Sequence, residues 1–223
     1  MILNPILIFA VQAYAFKIIF KIQYMNYTTF LLSGLLPWLF IVQSVEMCTS
    51  LFVNYANFIR NLPVGPLVLL FTQVLDNFIN FLFSFFILVV VFFFREPEHF
   101  RILFLMPLAI IPLVVAVGSL CLIFSSINVV LRDLKFVTSF LFSLLFYLTP
   151  IFYPPQFIPA EFQILVTVNP FYHVIHPFQI LTMQGWGTDY LSALGISFAV
   201  SAVLAAVAYT VWNKMKGYLI FYA

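Results

Sequence analysis

Long apolar runs, closed by proline-rich or charged breaks, recur five or six times along this chain. A segment crosses a hydrocarbon core of roughly 30 Å with about 20 apolar residues, so 223 residues leave room for about six crossings joined by short connections. Backbone groups in lipid must be paired internally, and these runs are continuous rather than alternating. The chain is therefore expected to be all-α, not a β-barrel. Charged residues make up 7 % of it and apolar ones 65 %, a balance that water cannot solvate and lipid can. No soluble domain fits beside the spans.

The first span is read at about Pro5 to Phe20, with Lys17 and Lys21 reaching back to an interface. With no basic stretch ahead of it, it is expected to be kept rather than cleaved as a signal peptide. The second covers about Phe30 to Val53 and includes Pro37, Trp38, Gln43 and Glu46, polar enough to require helix neighbours. Asn54 to Pro66 reads NYANFIRNLPVGP, a surface helix of one or two turns closed by Pro63, Gly65 and Pro66. The third span, about Leu67 to Phe94, would be about 42 Å long and must tilt or protrude.

A charged turn, REPEHFR from Arg95 to Arg101, separates it from a fourth span at Ile102 to Ser125, where Pro107 and Pro112 are expected to bend the helix. A second solvated turn, NVVLRDLK from Asn128 to Lys135, leads to a fifth span from Phe136 to about Tyr147. Between Thr149 and Tyr190, prolines at 150, 154, 155, 159, 170 and 177 leave apolar pieces too short to cross. Two short helices that dip into the membrane and return would satisfy that pattern. The last span is read at about Leu191 to Trp212, with Gly195, Ala199, Ala202 and Ala206 spaced for close helix packing.

Several function classes fall away. The net charge of +2 is small and its bases are scattered, so nucleic-acid binding is not expected. No glycine-rich loop precedes a Lys-Ser or Lys-Thr pair, so any ATP must be hydrolysed by another subunit. Cys48 and Cys121 lie in apolar runs without ligand spacing and read as small buried side chains. His173 and His176 could share a helical face, but no third or fourth metal ligand lies near them in sequence.

Two constellations carry more. Gln73, Asp76, Asn77 and Asn80 recur at i, i+3, i+4 and i+7, a polar stripe along the third span that serves either interhelical hydrogen bonds or a hydrated conduit. Glu46 and Asp76 are the acidic residues placed within spans, so an ion-coupled carrier is one alternative reading. An intramembrane enzyme using His173 or His176 is another. The 30 phenylalanines mostly face lipid or pack between helices, although some could form a sliding surface for sugar rings. Charge bias alone orients the chain poorly: Arg60, Arg132, Lys135, Lys214 and Lys216 on one side oppose Lys17, Lys21, Arg95 and Arg101 on the other.

Four blocks in order, SGLLPWLF (Ser33 to Phe40), NYANFIRN (Asn54 to Asn61), NVVLRDLK (Asn128 to Lys135) and LTPIFYPPQFIP with VNPFYHVI (Leu148 to Pro159, Val168 to Ile175), resemble the type-2 ATP-binding-cassette export permeases that move O-antigen, capsule or teichoic acid polymers. The resemblance covers nearly the whole chain, 1–223, as a single transmembrane domain, and implies a bundle of about six transmembrane helices in the bacterial inner membrane. It implies a homodimer of permeases in membrane lipid, two ATPase subunits that hold the ATP and Mg, and a lipid-linked polysaccharide as substrate. A drug or lipid as cargo is the alternative within the same architecture.

The resemblance also places a cytoplasmic coupling helix at Tyr55 to Asn61, with Asn57, Phe58, Ile59 and Arg60 docking the ATPase. It places an external gate at Pro150, Tyr153, Pro154, Pro159, Asn169 and Pro170. Trp38 joins Gln73, Asp76, Asn77 and Asn80 as translocation-path candidates. Two departures stand out: the chain starts almost within its first span, without the amphipathic interface helix of the family, and NLPVGP lacks the basic residue that usually follows the coupling-helix proline.

Overall fold

The computed structural model describes residues 27–61, 65–95, 104–153, 155, 158–183, 185 and 187–222. They are nearly all helical. In order they form α1 (Tyr27–Thr49), α2 (Leu51–Asn54), α3 (Ala56–Asn61), α4 (Pro66–Arg95), α5 (Met106–Asn128), α6 (Leu134–Leu148), a 3-10 turn (Ala160–Phe162), α7 (Gln163–Thr167), α8 (Pro170–Met183) and α9 (Thr188–Tyr222). Among the described residues, four helical stretches are long and apolar enough to cross a membrane, Thr29–Asn54, Pro66–Phe94, Met106–Asn128 and Thr188–Tyr218. The expected first span and most of REPEHFR lie outside the described residues.

Element ends follow from local chemistry. Pro66, just after Gly65, opens α4, where its missing N–H would have had no partner. Pro107 likewise sits in the first turn of α5, so it starts that helix instead of bending it; Pro112 is the internal one. The expected fourth span therefore begins four residues late. α6 matches the fifth span but has only 15 residues, about 22 Å, short of a full hydrocarbon core. It stops where Thr149 donates both its N–H (2.8 Å) and its hydroxyl (2.7 Å) to the Leu145 carbonyl and turns extended ahead of Pro150. Gly185, at φ 77°, occupies the left-handed conformation that follows α8.

The core is aromatic and aliphatic, centred on α1. α4 packs against α1 through Phe40, whose ring stacks on Phe81 at 5.0 Å and meets Phe78 at 5.9 Å. α9 makes its largest interface with α5, and α1, α5, α8 and α9 close around one another. Trp38, expected on a translocation path, is instead 2 % exposed and enclosed by Phe142, Phe146 and Phe171 at 5.8 to 5.9 Å. It stands in mid-helix as a packing residue, because the short α6 and the start of α8 close over it. Both cysteines are buried and free, Cys48 on α1 and Cys121 on α5.

α9 corrects another expectation. It continues ten residues past Trp212, and Gly195, Ala199, Ala202 and Ala206 face away from the bundle. A Cβ added to Gly195 would meet nothing within 4 Å. The buried face is Tyr190, Leu194, Ser197, Ser201 and Ala208, and the Ser201 hydroxyl donates to the Pro112 carbonyl at 2.8 Å. The carbonyl at Pro112 thus has a partner from a neighbouring helix.

Candidate functional site

Two structured patches occupy opposite ends of the bundle. Tyr190 donates its hydroxyl to the Leu105 carbonyl (2.9 Å) and Tyr27 to the Phe152 carbonyl (3.1 Å), so the starts of α1, α5 and α9 share one end with the proline-rich segment. At the other end, the Phe52 ring meets Trp212 at 6.0 Å, placing α2, α3 and the far part of α9 together. Arg132, Lys135, Lys214 and Lys216 are exposed on that second end or run towards it.

At the second end, α3 is a six-residue helix hung between two bends. Tyr55 interrupts the chain between α2 and α3, and its carbonyl accepts from the Ile59 N–H at 2.9 Å. The short helix then splits its faces: Ile59 packs onto the core, while Asn57 is exposed and Phe58 is 40 % exposed. The Phe58 ring lies edge-on to Tyr55 at 6.5 Å. Two large apolar rings held outward on a rigid turn form a ready contact for a partner surface. Arg60 belongs to this helix.

At the first end, the gate candidates come together around α8. Asn169 is buried and works in two directions: its Oδ1 accepts from the Phe171 N–H (3.0 Å), capping α8, while its Nδ2 donates to the Thr149 hydroxyl (2.9 Å). Pro170 then opens α8. Pro150 is buried, and its carbonyl accepts from Gln179 Nε2 at 2.9 Å. Tyr153 is half-buried and donates to the Tyr147 carbonyl at 2.8 Å. Pro159 stands exposed ahead of the 3-10 turn; Pro154 is outside the described residues. The Thr182 hydroxyl reaches Ser33 on α1 at 3.1 Å, fastening the same helix from its far end.

Residues 1–183 match the family described as ABC-2 type transporter. The chain belongs to the ABC-2 type transporter family. Among similar proteins are two Klebsiella pneumoniae chains named O-antigen export system permease protein RfbA, each 29 % identical over 96 % of this chain and 82 % and 83 % of their own length. A Myxococcus xanthus protein of the same name is 26 % identical over 96 % of this chain and 83 % of its own. The chain is a multi-pass membrane protein and a transport subunit.

On this transporter the polar stripe of α4 divides. Asn77 is buried, with its Nδ2 unpartnered, and Gln73 reaches the Met47 sulfur of α1 at 3.6 Å. Asp76 is exposed, and Asn80 donates to the Asp76 carbonyl one turn back at 3.1 Å. Half of the stripe thus serves the bundle and half looks outward. Glu46 is exposed as well. The two histidines hold hydrogen bonds of their own: His173 Nε2 lies 2.7 Å from the Thr167 carbonyl and His176 Nε2 lies 3.0 Å from the Tyr172 hydroxyl.

Sequence reasoning missed the residues that hold the Pro150 turn against α8. Gln179 is 2 % exposed and joins α8 to the Pro150 turn, and Gly34 on α1 makes room for it: a Cβ there would stand 2.7 Å from Gln179 Nε2. The glycine inside SGLLPWLF, on an otherwise bulky helix, was the available signal. Nothing local marked Gln179 as its partner.

Proposed function

We propose that this protein is the permease subunit of an ATP-driven exporter that moves a lipid-linked, O-antigen-like polysaccharide across the bacterial inner membrane. The similarity to O-antigen export permeases along 96 % of the chain carries this reading. Two copies would stand side by side in about six spans each, with the polymer passing between them. α3 is then the coupling helix, with Asn57, Phe58, Ile59 and Arg60 against a separate ATPase dimer that keeps the ATP and Mg. The opposite end, with Pro150, Tyr153, Pro154, Pro159, Asn169 and Pro170, is the external gate, formed by short helices that enter the membrane and return.

The mechanism follows from the two ends. ATP binding would draw the two α3 helices together, and α1 and α4, which flank α3, would carry the movement through the bundle. Fixed proline φ angles and the Asn169 and Gln179 hydrogen bonds make the gate a stiff unit that moves as one piece. Asp76 and Asn80, on the outward half of the α4 stripe, would offer the hydroxyl groups of the polymer a polar wall. The test is export itself. A strain deleted for this gene should accumulate undelivered polymer inside the cell, and the chain should co-purify with an ATPase in mild detergent. Uphill transport by vesicles holding this chain alone would overturn the reading.

A further inference from the structure

A groove of about 530 Å³ runs along the flank of the bundle at the end that carries α3, with α4 on one side, α9 on the other and α5 between them. Small residues make the space, Gly118 on α5 and Ala205 and Ala208 on α9. A Cβ added to Gly118 would meet nothing within 4 Å. Phe71 and Tyr209 rim the groove and are exposed, so it is open along its side.

Its length and its polarity decide what fits. The groove follows Leu67 to Val74 on α4, Val114 to Leu122 on α5 and Ala205 to Asn213 on α9, about 10 to 12 Å at 1.5 Å per residue. One leaflet, half of a hydrocarbon core of roughly 30 Å, is about 15 Å deep. Ser119 is the polar side chain along the α5 floor, and its hydroxyl already donates to the Val115 carbonyl at 2.6 Å. The other polar lining groups, Tyr209, Trp212 and Asn213, recur at i, i+3 and i+4 and gather at one end. One turn further, Lys216 Nζ donates to Asn213 Oδ1 at 3.1 Å, which holds an ammonium at that mouth. No carboxylate among the described residues lines the groove.

A sugar ring would find no free hydrogen-bonding group along that floor. A trough nearly one leaflet deep, apolar along its length and closed at one end by amphipathic rings and a cation, matches an acyl chain below a phosphate. We propose that the groove binds an anionic phospholipid, with one acyl chain lying over Gly118 between Phe71 and Tyr209 and the headgroup at Lys216. Its assignment to the cytoplasmic leaflet rests on the export reading above, in which α3 faces the ATPase; the groove itself does not. Trp212 gives the site a consequence. The same ring meets Phe52 of α2 at 6.0 Å, next to α3, so a bound lipid braces the coupling end.

The experiment uses the full chain purified in detergent and stripped of lipid. Dioleoyl phosphatidylglycerol and dioleoyl phosphatidylcholine are the probes, and the lipid retained per chain is read by native mass spectrometry. The wild type should hold phosphatidylglycerol about fivefold more tightly, as one basic residue near a headgroup implies. Gly118→Leu fills the floor with a better helix former and should weaken both lipids by about tenfold or more, since several chain methylenes lose their contacts. Ala205→Leu closes the same groove from α9 and should act alike. Lys216→Gln, at an exposed position, should abolish the preference for phosphatidylglycerol, and Val203→Trp on the outward face of α9 should change nothing. Retention equal to wild type in Gly118→Leu and Ala205→Leu would mean that another chain or segment covers the groove, and it overturns the site. A preference that survives Lys216→Gln overturns the headgroup assignment. The readout involves neither polymer nor ATP, so loss of the lipid site sinks this inference alone, whereas failed export by the wild type sinks the parent reading and with it only the choice of leaflet.

Discussion

Gly34, Gln179 and Pro150 show how little space fixes the turn ahead of α8. The Gln179 amide fits only because residue 34 lacks a Cβ, and its Nε2 donates to the Pro150 carbonyl. Gly34→Ala should therefore displace it and leave a buried carbonyl unpaired, at a cost of about 1 to 3 kcal/mol. Thermal unfolding in detergent checks this, with faster proteolysis between α6 and α8 as the local sign. Asn169→Ala, which removes the α8 cap and the Thr149 bond together, should cost about 1 to 2 kcal/mol in the same assay. His176 adds a pH term. Burial holds its imidazole down to about 4, with Gln179 opposing and His173 adding to the shift. Unfolding frees a histidine that protonates near about pH 6.5, so stability present above that value is lost as pH falls towards 4. A melting temperature that declines across this window, and declines less in His176→Phe, is the expected result.

At the scale of elements, helix faces decide which substitutions matter. Phe58→Asp should leave the bundle folded, since the ring is 40 % exposed, but should uncouple ATP hydrolysis from export. Unchanged export by a stably expressed variant would refute the role given to α3. Trp38→Ala, by contrast, removes the ring around which three phenylalanines pack and should cost about 3 to 5 kcal/mol. α9 gives a paired test: Ala202→Leu on the outward face should leave the melting temperature nearly unchanged, while Ser197→Leu, fully buried against the bundle, should lower it sharply. The existence and order of α1, α4, α5, α6 and α9 were legible, because 20-residue apolar runs permit little else in lipid. Their faces were not. Small residues at helical spacing read equally well as inward or outward, and only the packing of α5 against Ser197 and Ser201 chose between them.

For the whole molecule, the two patches sit at opposite ends of one bundle, and α1 touches both. Cys48 and Cys121 lie deep between them, each 0 % exposed, so a membrane-permeant maleimide should label neither thiol in the folded protein and both after denaturation in detergent. Labelling of the native protein would show that the α1 and α5 interface opens. The candidate coupling residues were readable from NYANFIRN because an amphipathic turn closed by prolines stands out between long spans. The proline-rich break after α6 was readable for the same reason. Its internal fastening was not, since Asn169 to Thr149 and Gln179 to Pro150 join residues 20 and 29 positions apart.

The sequence by itself determined that this is an all-α membrane protein and where its breaks fall, because hydropathy and proline chemistry act locally. Tertiary structure alone decided that Trp38 is a core residue, that the small-residue stripe of α9 faces outward, and that Gly34 and Gln179 hold the Pro150 turn. Those outcomes depend on which side chains meet across distant helices, and no run of neighbouring residues encodes that meeting.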